Sequence, residues 1–330
     1  MRRKGRPRRA STTVAMLAAT VTAVLAAGCT GGHGPADDGR AHTPTPAPDR
    51  SAVGKSPVAK GSVLAVKIDN APEARPQTGL DAADVVYAEQ VEGGLSRLMA
   101  VYAGTLPRVV GPVRSARESD LELLRQFHDP LLAFSGAQHK LLPLIDNAPL
   151  QAETPAKVSD AYFRGPGRAA PHNLYLRPAR LMKSAPGADA LTTGFRYGAA
   201  PAGGKSANTR TVRYPAAGFT FTWSANLHRY LVAMDGTPTV TAEGKRVTPA
   251  TVVVQYVRMH KSAFHDVLGN NTPYTETVGS GTAQVLRDGR VYDVNWERGK
   301  ATDGTEFTTK DGKPVNFAKG QVWVVLAQAS

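Results

Sequence analysis

The chain has one cysteine, Cys29, and it stands at the end of an export-type leader, so whatever folds beyond it must do so without an internal disulfide. Residues 1–10, MRRKGRPRRA, hold six Lys/Arg and no acid, and residues 14–28, VAMLAATVTAVLAAG, are apolar and small. A charged segment followed by a short apolar one is a secretion signal, too short and wrongly flanked for a stable membrane span. The formal charge of +13 falls to +7 once the six leader cations are removed. A basic balance commonly points to nucleic acid, but an exported chain meets anionic wall polymers and lipid headgroups instead.

LAAGC, residues 25–29, resembles the lipobox of bacterial lipoproteins, with Ala26 where that motif prefers Leu and Leu25 one place early. The resemblance implies acylation of Cys29, palmitate being the usual chain, and retention at the extracytoplasmic face of the cell membrane. Arg8-Arg9 is a weak twin-arginine signal, because RRASTT lacks the apolar residues that should follow the pair. Residues 29–60 are Gly, Pro, Ala and Thr without apolar periodicity and read as a disordered tether. As a flexible coil it spans roughly 30 Å.

Beyond the tether the chain divides in two. Residues 61–200 mix strand and helix signals and predict a layered α/β domain. SVLAVKID (62–69) and PLLAFSG (130–136) read as strands; SDLELLRQF, AQHKLLPLID (137–146) and PARLMKSA (178–185) read as helices. DVVYAEQVEGGLSRLMAVYAG (84–104) reads as a hairpin turning on Gly93-Gly94. Residues 208–330 read as β only, with Asp-Gly at 235–236, 288–289 and 311–312 between strand-like runs. The expectation there is an antiparallel sandwich or partly closed barrel that folds by itself, with Tyr230, Trp296, Trp323 and Trp223 mostly in its core.

IDNAPEARPQTGLDAADVVYAEQVEGGLSRLMAVY, VVGPVRSARESDLEL and APHNLY resemble the YerB-like lipoproteins, and VVVQYV, GSGTAQVLRDGRVYDVNWERG and GQVWVVL resemble that family's C-terminal domain. Both halves of the family are domains of unknown function. The resemblance implies lipoprotein status and the two-domain division, and no catalytic residues.

The unusual chemistry lies in GPVRSARESDLELL (111–124). Ser115-Ala116-Arg117-Glu118 fits a capping box, which would start a helix at Ala116 with Arg114 just outside and Arg117 in the first turn. Cations are unwelcome there. They must answer either internal carboxylates or an external anion, which a guanidinium fork binds through two bonds. With a two-residue turn, Gln90 faces Arg97 and Glu92 is diagonal to it, while Glu89 points to the other face and needs Arg75, Arg114 or Arg117. Asp69-Asn70, at the end of the first strand, and His172-Asn173, after RGPGRAA, complete the candidate ligand-binding set of Arg75, Arg97, Arg114, Ser115, Arg117, Glu89 and Glu92; Ser135-Gly136, after another strand, border the same cleft.

No G-x-S-x-G, S-x-x-K with K-T-G, H-E-x-x-H or phosphate-loop motif is present, and Cys29 is committed to the anchor. His260, His265 and Asp266 are too loosely spaced to predict a metal site, and no cofactor motif is found. The reading is a membrane-anchored envelope lipoprotein that binds an anionic wall polymer or a protein partner, not nucleic acid. The alternative is a hydrolase of wall glycan or peptide using carboxylates such as Asp69 and Glu92 with His172. If Cys29 is the anchor, Cys29→Ser should move the protein from the membrane fraction to the medium; unchanged membrane retention would contradict the lipid anchor.

Overall fold

The computed structural model describes residues 61–330 except Val267; Cys29, the signal at 1–28 and the tether at 29–60 lie outside the described residues. Strands dominate and helices are few. In chain order, β1 (Leu64–Asp69), β2 (Val85–Gln90), β3 (Ser96–Tyr102), α1 (Glu118–Leu124), β4 (Leu131–Ala133), α2 (Leu142–Asp146) and β5 (Gln151–Glu153) lead to a short ribbon, β6 (Tyr162–Arg164) and β7 (Leu174–Leu176). They are followed by β8 (Thr209–Tyr214), β9 (Ala217–Ser224), β10 (Arg229–Met234), β11 (Thr251–Val257), β12 (Met259–His265) and β13 (Asn271–Thr275). The last are β14 (Gly279–Arg287), β15 (Arg290–Arg298), β16 (Glu306–Thr308) and β17 (Val322–Gln328).

An eleven-stranded sheet runs in the order β16-β15-β14-β11-β17-β2-β3-β1-β4-β5, with Lys205–Ser206 added beside β15. It joins the two halves of the chain. β17 lies parallel to both β2 and β11, from Val85↔Val322 on one side and Thr251↔Val322 on the other. The antiparallel expectation for residues 208–330 is corrected at this strand, and the sheets stay open, without a closed barrel.

The central strands are buried on both faces, so alternate residues enter two different cores instead of core and water. Val66, Ile68, Val86, Val254 and Trp323 pack with Phe219, Phe221 and Tyr230 of the four-stranded sheet formed by β8, β9, β10 and Thr237–Pro238. Ala65, Tyr87, Met99 and Val324 pack with Leu123, Leu124 and Ile145 of α1 and α2. The Tyr214 hydroxyl, on β8, lies 3.0 Å from Ala88 O and 2.9 Å from Leu326 O, touching both halves of the great sheet at once. Tyr230, Trp296 and Trp323 are buried, and Trp223 is half-buried.

Local signals explain most elements. Asp235-Gly236 and Asp288-Gly289 hold positive φ at both positions and close two-residue hairpins at Met234↔Thr237 and Arg287↔Arg290. At Asp311-Gly312 only the glycine does so, and the loop is wider. The helix expected at 178–185 is a single 3-10 turn, Pro178–Arg180. Its adjacent Leu181 and Met182 offer no apolar stripe at helical spacing.

The shared sheet bears directly on separability. A fragment of 208–330 would expose the β17 edge that β2 covers, along with the apolar residues of two cores. We expect that fragment alone to give a poorly dispersed NMR spectrum, and co-expression with residues 61–207 to restore dispersion.

Candidate functional site

The site is built on the ends of β1, β2 and β3, and its layout follows from the hairpin register. The β2–β3 turn is not the two-residue Gly93-Gly94 turn expected: the strands stop at Gln90 and Ser96, Val91 N–H donates to Leu95 O, and Glu89 pairs with Arg97. Both glycines have positive φ (67° and 71°) but sit inside a wider loop. A register change of one residue moves side chains to the opposite face. Glu89 therefore joins Arg97 and Asp69 in one cross-strand row, Asp69↔Arg97↔Glu89, instead of lying beside Leu98 on the far side.

Beneath this row lies Lys67, the central polar residue of β1 and fully buried. Its ammonium contacts the Glu89 carboxylate and lies 2.7 Å from Asp120 Oδ1 of α1. Burial pushes the Lys67 pKa down to about 8, against the upward pull of Asp120. Asp120 also accepts the Arg117 backbone N–H at 2.7 Å. The helix consequently starts at Glu118 with Arg117 as its N-cap, two residues later than the Ser115 cap expected. The carboxylate tied down by Lys67 outcompetes Ser115 and Glu118 for the cap.

Arg117 then projects toward the hairpin loop. Its Nε and one terminal nitrogen meet the two Glu92 oxygens, each at 2.7 Å, with both side chains largely buried. Burial alone would raise the Glu92 pKa; the bonds and charge of Arg117, with the Thr272 hydroxyl from β13, hold it below its ordinary value of 4.5. Arg114 Nε lies 3.3 Å from Asp69 Oδ2, and His172 Nδ1 lies 2.9 Å from the same oxygen. The arginines of the opening motif thus meet internal carboxylates.

Arg97 does not. Its partners in the row are occupied, Asp69 by Arg114 and His172, Glu89 by Lys67. Among the described residues its only hydrogen bond runs from one terminal nitrogen to Ser115 O at 3.1 Å. Burial first, then the Arg117 charge, pushes its pKa down to about 9, with Arg114 adding to the effect and Glu92 and Asp69 opposing it. Ser115 Oγ stands 3.4 Å from Ser135 Oγ on the same rim. The result is a cluster of three guanidinia, two hydroxyls and an imidazole around the ends of β1 and β3.

The remaining candidates bond to neighbouring groups. Asn70 bonds Ser96 Oγ and accepts from Arg75 and Gln77, and Arg75 reaches across to Asp235 at 2.8 Å. Asn173 bonds within its own ribbon, accepting from Arg164 and donating to Arg168 O. Lys67, Asp120 and Thr272 were missed by sequence reasoning; only Lys67 left a signal, as one cation within an otherwise apolar strand. No group of three or more His, Cys, Asp or Glu able to hold a metal occurs among the described residues, and His260 instead stacks on Tyr274 at 5.0 Å.

Comparisons with known proteins agree on one family. Residues 50–191 match the N-terminal domain, and residues 210–324 the C-terminal domain, of a family described as protein of unknown function (DUF3048). YerB of Bacillus subtilis (strain 168), whose name proposes it to be a lipoprotein, is 25% identical over 272 residues, covering 79% of this chain and 80% of that protein. The crystal structure of YerB from Bacillus subtilis superposes with a TM-score of 0.67 at 21% identity, covering 81% of this chain and 91% of the other.

The geometry ranks the two motif arginines. Arg117→Ala breaks a largely buried ion pair and should cost about 3–5 kcal/mol. Arg114→Ala, at a more solvated site with one long contact, should cost about 1 kcal/mol or less. This reverses the order that the helix-start argument alone predicts. Because Glu92 has a depressed folded pKa, its contribution is present above pH 4.5 and is lost as pH falls through the lower folded value. Glu92→Gln should therefore flatten the acid limb of a stability–pH curve measured by thermal melting; an unchanged acid limb would show that another carboxylate controls it.

Proposed function

The chain belongs to the DUF3048 family, and from that premise, together with the lipoprotein status that the name of its relative YerB proposes, we propose that it is a membrane-anchored envelope protein that captures an anionic group, phosphate or carboxylate, at Arg97. One observation carries this reading: Arg97 is held among Arg114 and Arg117 with the nearby carboxylates already engaged elsewhere. A cation in that position gains from an arriving anion, and the guanidinium nitrogens not bonded to Ser115 O can donate to one. Ser115, Ser135 and His172 can supply further donors. The protein would thus act by holding a ligand at the membrane surface, on the end of the tether.

A second reading keeps the same residues but adds chemistry. The Asp69–His172 contact is the orienting half of a general base, since a carboxylate on Nδ1 leaves Nε2 to take a proton. Against the glycan-hydrolase form of this reading, Glu92 is held ionised by Arg117 and is poorly suited to act as a general acid.

Inorganic phosphate tests the binding reading. It should raise the wild-type melting temperature more than chloride at equal ionic strength, and Arg97→Ala should abolish that difference while leaving the protein folded. An equal response to the two salts in wild type would contradict an anion site at Arg97.

A further inference from the structure

We propose that the β6–β7 ribbon is a docking track for a linear phosphodiester polymer of the cell envelope, distinct from Arg97 although His172 of its connecting loop meets Asp69; this rests on the envelope location argued above but not on anion capture at Arg97. Residues 161–188 contain Arg164, Arg168, Arg177, Arg180 and Lys183 and no acidic residue. None of these five cations has an ion-pair partner among the described residues.

Three of the guanidinia are nevertheless fixed in place by neutral groups. Arg164 donates to Asn173 Oδ1 at 2.6 Å. Arg168 donates to the Tyr175 hydroxyl at 2.8 Å and to Pro76 O at 2.9 Å. Arg177 lies over the Phe163 ring, 4.0 Å from its centre, and Phe163 stacks on Tyr175 across the ribbon at 5.6 Å. Neutral partners position a cation without cancelling its charge, so the ribbon presents ordered and uncompensated forks.

That combination fits phosphate oxygens, which accept a fork through two bonds. Several such forks along one ribbon fit a polymer with repeated charges better than a single anion. A bilayer surface fits less well, since none of the large apolar side chains that stand exposed (Leu95, Leu144, Tyr197, Leu227, Leu268) lies on the ribbon to insert into lipid.

The test uses the full chain carrying Cys29→Ser, so that no acyl anchor contributes. Poly(glycerol phosphate) should bind, and its affinity should fall with added salt. Arg177→Gln with Arg180→Gln, both at exposed positions, should weaken binding by about tenfold or more and reduce the salt dependence. Arg97→Ala should retain polymer binding. The proposal is overturned if the double variant binds as wild type does, or if phosphatidylglycerol vesicles bind while the polymer does not. Loss of polymer binding in Arg97→Ala with the double variant unaffected would likewise overturn it and place the ligand at Arg97.

Discussion

The architecture of the candidate site hangs on one buried cation. Lys67 lies in the middle of β1, and an ammonium without water is tolerated only beside opposite charge. Glu89 supplies one carboxylate from the neighbouring hairpin and Asp120 the other from α1. Satisfying Lys67 therefore fixes where α1 lies over the sheet. Asp120 fixes where the helix starts, the start aims Arg117 at Glu92, and Glu92 accepts a hydroxyl from Thr272 in a strand far along the sequence. Each polar contact in this series is set by the one before it.

The same series explains why Arg97 stands outside the ion pairs that engage its neighbours. Lys67 takes Glu89 away from Arg97, its direct cross-strand partner. His172 and Arg114 share Asp69 on the other side. Arg97 is left between two carboxylates that are in register with it but engaged elsewhere. The four carboxylates of this cluster, Asp69, Glu89, Glu92 and Asp120, balance its four cations, Lys67, Arg97, Arg114 and Arg117, but two of them serve Lys67, so Arg97 is left without one through competition among internal pairs and not through an excess of arginines.

Much of this region was legible in the sequence, but its pairings were not. The candidate positions from Asp69 to His172 do meet around the β1 and β3 ends, because strand ends and flanking loops converge there. The hairpin register was misread since Gly93-Gly94 has the form of a two-residue turn, while Leu95 and Glu92 close a longer loop. Periodicity cannot detect an error of one residue in strands that are apolar on both faces. The cap was misread because Ser115 and Glu118 satisfy a local rule that a distant contact, Lys67 to Asp120, overrides. The parallel placement of β17 had no local signal at all, as strand order in a sheet is decided by which surfaces remain to be buried.

That placement also has a bearing on time. β17 is the latest strand in the sequence, yet it occupies the interior of the sheet, with β2 on one side and β11 on the other. More than two hundred residues separate β2 from the partner that covers its edge, so this pairing is among the costliest in loop closure. A nascent chain cannot complete the sheet while residues 322–328 are still unmade. The order of strands therefore sets a late step: the edges of β2 and β11 stay uncovered until the last strand arrives, and its arrival joins both halves of the sheet.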